Sequence, residues 1–137
     1  GILKESLINY VKKKNINDKV KFINYSTNPY PLINQSDLLI LSSKYEGLPN
    51  VLLEALVLKK FIISSDCPTG PKEILLNGKG GLLFQVGNYS ELERKIFYYL
   101  NNKKICKLML NNAFNKLGRF DYNLNLKKYL ISVKKFI

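Results

Sequence analysis

One stretch constrains the fold more than any other. Asp37-Leu38-Leu39-Ile40-Leu41 is a short continuous apolar run, the pattern of a strand buried on both faces, and it empties into the loop Ser42-Ser43-Lys44-Tyr45-Glu46-Gly47-Leu48. Val51, Leu52, Ala55 and Leu56 then recur at helical spacing. Two helix starts are open: Pro49 at the first helical position, where its missing N–H costs nothing, or Asn50 as the cap. Strand, loop and helix in that order put the loop at the carboxyl end of a parallel strand, facing a helix N-terminus. Ligands bind there in open α/β sheets, and the free N–H groups and positive dipole end favour phosphate.

Two carboxylates frame this turn, Glu46 on the loop and Glu54 more than a turn into the helix. The helical part alone separates them by roughly 6 to 8 Å along the axis, and the loop adds to that. A glycosidase pair sits about 5 to 9.5 Å apart across one bond, so these two suit different parts of one elongated ligand better. A carboxylate repels pyrophosphate but accepts hydrogen bonds from sugar and ribose hydroxyls. The pattern therefore describes a phosphate on backbone N–H groups with polyol groups at either end.

Tyr45-Glu46-Gly47-Leu48-Pro49-Asn50-Val51-Leu52-Leu53-Glu54-Ala55 resembles the Glu-x7-Glu motif of family 4 retaining glycosyltransferases, above all bacterial enzymes of capsule, lipopolysaccharide and lipid-linked glycan assembly. The resemblance extends in the family's order through Val20-Lys21-Phe22-Ile23, Asn28-Pro29-Tyr30, Ser36-Asp37-Leu38, Asp66 to Ile74 and Gly81-Leu82-Leu83-Phe84. It implies that Glu46 contacts the donor sugar hydroxyls as the catalytic carboxylate and that Glu54 holds the ribose. By the same resemblance the backbone of Gly47, Leu48, Pro49, Asn50 and Val51 approaches sugar and diphosphate, and the loop carrying Tyr25 and Ser26 lies near the base.

At 137 residues the chain has the size of one domain with one sizeable core. It has no initiating Met; Met109 is the only methionine, as expected of a cut or processed piece. Family members have two Rossmann-like domains in the GT-B architecture. The fold expected here is therefore α/β, a Rossmann-like parallel sheet with flanking helices from the later part of the second domain. Its opening strand, glycine turn and basic diphosphate residues are expected upstream of Gly1. Residues 1–120 form the partial nucleotide-sugar-binding domain in this reading, and 121–137 a helix that packs toward the missing N-terminal domain.

A net charge of +12, with 22 basic and 10 acidic residues, points to an anionic partner or to a merely solvated surface. The lysines fall in short clusters such as Lys12-Lys13-Lys14, Lys127-Lys128 and Lys134-Lys135, with no nucleic-acid-binding signature. Nucleic acid is therefore not the expected partner. An anionic membrane surface and an anionic substrate remain. Two cysteines, Cys67 and Cys106, and no histidine make a zinc site a poor expectation and suit a reducing cytoplasm. No signal peptide is evident, and no apolar run approaches the roughly 20 residues of a membrane span, so membrane contact is expected to be peripheral, at the inner face.

Along the chain, Leu3, Leu7, Ile8 and Val11 predict a first helix, Val20–Ile23 a strand, and Tyr30–Gln35 a short helix. Phe61-Ile62-Ile63-Ser64 predicts the next buried strand, and the loop Asp66 to Pro71 falls at the same end of the sheet as Glu46. Pro71 and Glu73 open a short helix to Leu76, with Thr69 as its cap or as a border of the donor pocket. Asn77-Gly78 stops it, Gly80 to Phe84 makes a last strand, and Gly87-Asn88 turns out of that. Ser90-x-x-Glu93 reads as a capping box for a helix through Ile96, Phe97 and Leu100. A further helix carries Ile105, Leu108, Met109, Ala113 and Leu117. From Leu124 to Ile137, Leu126, Tyr129, Leu130, Val133 and Phe136 share one face and four lysines the other, which suits core or interdomain packing better than a lipid surface, the rival pattern.

No Asp-x-Asp triplet offers a divalent metal its usual carboxylate bridge to diphosphate. The resemblance implies metal-independent transfer from a nucleotide-diphosphate sugar to a glycan or lipid-linked acceptor, with retention and front-face attack, and no cofactor. It implies an acceptor site in the first domain, leaving this piece inactive alone. Two rivals use the same fold: a noncatalytic nucleotide-binding module and a nucleotide-sugar epimerase-like domain. Donor sugar, base, acceptor and linkage are not written in these residues.

Overall fold

The parallel sheet formed as the apolar runs require. The structure, a computed structural model, describes residues 2–136; Gly1 and Ile137, the ends of the two regions separated above, lie outside the described residues. Strands β1 (Leu38–Leu41), β2 (Phe61–Ser65) and β3 (Leu82–Phe84) lie in that order, all parallel. Leu38 pairs with Phe61 and Ile63 with Leu82. The central β2 is buried at every residue, which is why its sequence runs apolar without alternation.

Seven helices accompany the sheet among the described residues: α1 (Lys4–Lys13), α2 (Tyr30–Gln35), α3 (Asn50–Val57), α4 (Pro71–Ile74), α5 (Tyr89–Asn101), α6 (Lys103–Phe114) and α7 (Tyr122–Val133). Leu52, Ala55 and Leu56 of α3, Ile62 and Ile63 of β2, and Ile74 and Leu75 close one core with Cys106, Leu110 and Ala113 of α6. Gly80 and Gly81 let β3 approach. A Cβ on Gly80 would stand 2.6 Å from the Ala113 Cβ, and one on Gly81 would stand 2.9 Å from the Ile62 carbonyl oxygen. Phe61 stacks on Tyr99 at 5.1 Å, and the Tyr99 hydroxyl donates to the Asp37 carbonyl at 2.7 Å, tying α5 to the start of β1.

Several expectations are corrected. Val20–Ile23 is not a strand: no neighbour pairs with it among the described residues, Phe22 and Ile23 are exposed, and Lys4 holds Asn24 beside α1 at 2.7 Å. The first helix formed, but its apolar stripe buries no residue. Pro49 is neither the first residue of α3 nor displaced by an Asn50 cap. It occupies the cap position itself with extended backbone, and Asn50 is the first helical residue.

The α5 capping box is also corrected. Asn88 caps α5 through a 2.9 Å bond from the Glu91 amide, and Glu91 reaches back to the Gln85 amide at 2.8 Å. The helix start lies two residues earlier than expected and is not a reciprocal box, since the cap residue's own N–H goes to the Gln85 carbonyl at 2.9 Å and not to Glu91. Replacing Asn88 by alanine is expected to lower stability by about 1 kcal/mol, measured by urea unfolding.

On α5 the buried residue is Tyr99, while Phe97 and Leu100 are exposed. On α6 the stripe is Cys106, Leu110 and Ala113, with Ile105 and Leu108 outward. Two small residues, Cys106 and Ala113, face inward here because α6 packs close to β2 and α3. Leu117, expected on the same helix, lies beyond the end of α6 in a 3-10 turn, Leu117–Phe120, and α7 follows, capped by Asp121 through the Leu124 amide at 2.8 Å. α7 buries no residue, and Leu126, Tyr129 and Leu130 are exposed.

Burial raises the Cys106 thiol above its ordinary 9.0, with nearby Lys103 opposing in part. Below 9.0 the thiol is protonated in both states; above it the unfolded thiol ionises while the folded one resists. The native state therefore loses stability as pH climbs past that value. Unfolding curves from neutral into alkaline pH should show this loss, and a Cys106→Ala variant should show less of it.

Candidate functional site

The turn between β1 and α3 lies at the carboxyl end of the sheet, next to the loop that leaves β2. From Ser43 to Leu48 no backbone hydrogen bond is made among the described residues, and the first amide with a partner is that of Leu52, bonded to the Pro49 carbonyl at 2.9 Å. The amides of Gly47, Leu48, Asn50 and Val51 thus have no protein acceptor among the described residues. Pro49 contributes no N–H and is buried, which leaves the donors on either side of it. Free amides at a helix start form an anion-binding surface.

Glu46 precedes these amides, and Glu54 follows on the second turn of α3. Both are half-buried, and among the described residues neither has a salt-bridge or side-chain hydrogen-bond partner. In a chain with 22 basic residues, that leaves both carboxylates available as acceptors for hydroxyl groups. Asn50 is exposed, Leu48 is 49% exposed, and Val51 is half-buried, so one turn carries every expected donor residue except Tyr25.

Tyr25 stands apart. It is 93% exposed and lines a hollow of about 320 Å³ with Leu3, Leu7 and Phe22, not with Glu46 or Glu54. A second hollow of about 280 Å³ beside the ends of β2 and β3 is lined by Asp66, Leu83, Phe84, Gln85 and Glu91. Asp66 there pairs with Lys72 at 2.9 Å.

The loop after β2 supplies contacts that the sequence reading missed. Thr69 does not cap α4: its hydroxyl donates to the Glu46 carbonyl, and Gly70 takes the cap position. Ser65, fully buried at the end of β2, donates to the Ser43 carbonyl at 2.6 Å. Gly70 adopts φ +88°, and a Cβ there would overlap the Gly47 carbonyl oxygen and Pro49 Cδ. Arg119 reaches the last carbonyls of α4, Glu73 at 2.8 Å and Ile74 at 3.1 Å, fixing that helix from behind. The sequence had placed the loop Asp66 to Pro71 at the same end of the sheet as Glu46, with Thr69 as a possible border of the pocket, but not these bonds.

No group of three or more metal-ligating side chains occurs among the described residues, and no helix is long and apolar enough to cross a membrane. Residues 1–116 match the family described as Glycosyl transferases group 1. A Campylobacter jejuni N-acetylgalactosamine-N,N'-diacetylbacillosaminyl-diphospho-undecaprenol 4-alpha-N-acetylgalactosaminyltransferase is 28% identical over 121 residues, 88% of this chain and 33% of that protein. The chain thus spans about a third of the length of that relative.

Among solved structures, Anabaena HepE in complex with UDP superposes with a TM-score of 0.83 at 18% identity, over 97% of this chain and 36% of HepE. The C-terminal domain of a Francisella tularensis glycosyl transferase group 1 family protein gives 0.71 at 21% identity, over 88% of this chain and 62% of that one. These likenesses show the fold, the parallel sheet and flanking helices of GT-B glycosyltransferases. With its Glu-x7-Glu turn at the end of β1 and a match over residues 1–116, the chain belongs to the glycosyl transferases group 1 family.

Proposed function

We propose that this chain is the donor-binding part of an enzyme that transfers a sugar from a nucleotide-diphosphate sugar to a glycan or lipid-linked acceptor, with retention at the anomeric carbon. The observation that carries it is the β1–α3 turn, where the amides of Gly47, Leu48, Asn50 and Val51, flanked along the chain by Glu46 and Glu54, have no protein partner among the described residues, and neither do the two carboxylates. The diphosphate takes the amides, Glu54 accepts from the ribose, and Glu46 from the sugar hydroxyls. As the sugar–phosphate bond breaks, charge gathers on the leaving diphosphate, and preoriented N–H dipoles stabilise it without reorganising. The transfer needs no metal in this proposal, since the donor set here is backbone N–H groups.

The relative that acts on a diphospho-undecaprenol substrate supports a lipid-linked acceptor, held by a first domain outside this chain. The exposed apolar residues of α7 support the packing of residues 121–137 against that domain. Lysines on the same helix give it a secondary, peripheral contact with anionic membrane at the cytoplasmic face. Tyr25, which lines a different hollow from the turn, keeps its proposed place near the base.

Ligand-observed NMR of the full-length protein with UDP, UDP-N-acetylgalactosamine and GDP-mannose tests the donor site, with and without EDTA. Saturation transfer to one of the nucleotides that survives EDTA is expected. Absence of binding to all three rejects the donor site, and binding abolished by EDTA rejects the metal-independent form. The anomeric configuration of the product, read by NMR against that of the donor, tests retention.

A further inference from the structure

We propose that the loop after β2 sets the geometry of the donor turn, with Thr69 and Ser65 as positioning residues that turn the amides of Gly47 and Leu48 outward. This inference rests on the donor-site reading above. The turn cannot hold its own shape, since Ser43 to Leu48 make no backbone hydrogen bonds among the described residues. What fixes it comes from the neighbouring strand and loop. The Ser65 hydroxyl takes the Ser43 carbonyl at 2.6 Å, the Thr69 hydroxyl takes the Glu46 carbonyl, and Gly70 lies against the Gly47 carbonyl.

Peptide planarity turns these contacts into a direction. In a trans peptide the C=O of one residue and the N–H of the next point opposite ways. Holding the Glu46 carbonyl on the β2 side therefore aims the Gly47 N–H away from that loop. Contact of the Gly47 carbonyl with Gly70 does the same for the Leu48 N–H. Two successive amides are thereby presented on the open side of the turn, as an oxyanion-holding pair needs, and the backbone of Glu46 is fixed so that its carboxylate varies only through side-chain torsions. Ser65 is fully buried, so its bond is shielded from water; Thr69 is exposed and is the variable member.

The test compares Thr69→Val and Thr69→Ser in the full-length protein. Removing one hydroxyl hydrogen bond while keeping the side-chain shape is expected to weaken UDP binding about 3- to 10-fold, with a smaller change in melting temperature than Gly70→Ala produces. Amide nitrogen shifts of Gly47 and Leu48 should move in Thr69→Val. Thr69→Ser, which keeps the donor, should restore both readouts. Thr69→Val with unchanged shifts and unchanged UDP affinity overturns the positioning role, provided that Glu54→Ala weakens UDP binding in the same assay. If Glu54→Ala and Glu46→Ala also leave UDP and sugar-nucleotide binding intact, the donor-site reading has failed instead. Equal losses in Thr69→Val and Thr69→Ser likewise overturn the role of the hydroxyl.

Discussion

Glu54→Ala is expected to weaken UDP binding about 10- to 100-fold, because a carboxylate that accepts from ribose hydroxyls contributes roughly 1.5 to 3 kcal/mol through charged hydrogen bonds. The side chain is half-buried on the second turn of α3 and has no protein partner among the described residues, so its loss leaves no orphaned group and the melting temperature should stay near that of the parent. Glu46→Ala should behave differently. In the proposed reading it contacts the transferred sugar, so UDP affinity should hold while affinity for UDP-sugar and kcat/KM for transfer fall. Isothermal titration with UDP and UDP-sugar on both variants separates the roles. Equal losses for both ligands in both variants would remove the assignment of sugar to Glu46 and ribose to Glu54.

Gly70→Ala carries the other large effect, and it falls on the fold. At φ +88° any L side chain is strained, and here the new Cβ also meets the backbone of Gly47 and the ring of Pro49, neither of which can rotate aside. Strain and overlap together are expected to remove about 2 to 5 kcal/mol, a large share of a domain's usual stability. Gly78→Ala is the control. Its φ is +85°, yet a Cβ there meets nothing within 4 Å, so it should show the strain alone. Urea unfolding of the pair measures the overlap by difference. Equal destabilisation would mean that the two loops yield to each other and that the turn is not rigidly seated.

Much of this was legible in local pattern. The runs Leu38–Leu41 and Phe61–Ser64 were legible as strands and Val51 to Leu56 as a helix leaving the first of them, but only β2 is buried on both faces. β1 lies at the edge of the described sheet, half-buried with Ile40 exposed, because burial depends on a neighbour that the run itself does not name. The stripes of α5 and α6 were placed only in part: Ile96, Met109, Ala113 and Leu117 pack on the core as expected, but Cys106 and Tyr99 face inward where Ile105 and Phe97 look more apolar. Periodicity gives a helix its spacing but fixes its rotation only loosely when both faces carry apolar residues. Val20–Ile23 has the composition of a strand, yet a strand exists only where a neighbour accepts its hydrogen bonds, and composition says nothing of that neighbour.

The sequence by itself determined the order of strand, turn and helix and the two glutamates that frame the turn, since spacing along the chain decides which side chains precede and follow a helix start. Tertiary structure alone decided where the turn's carbonyls are held. Ser65 and Thr69 lie 22 and 23 residues beyond the carbonyls they take, and a hydroxyl carries no mark of its distant acceptor until the parallel register of β1 and β2 brings the two loops side by side.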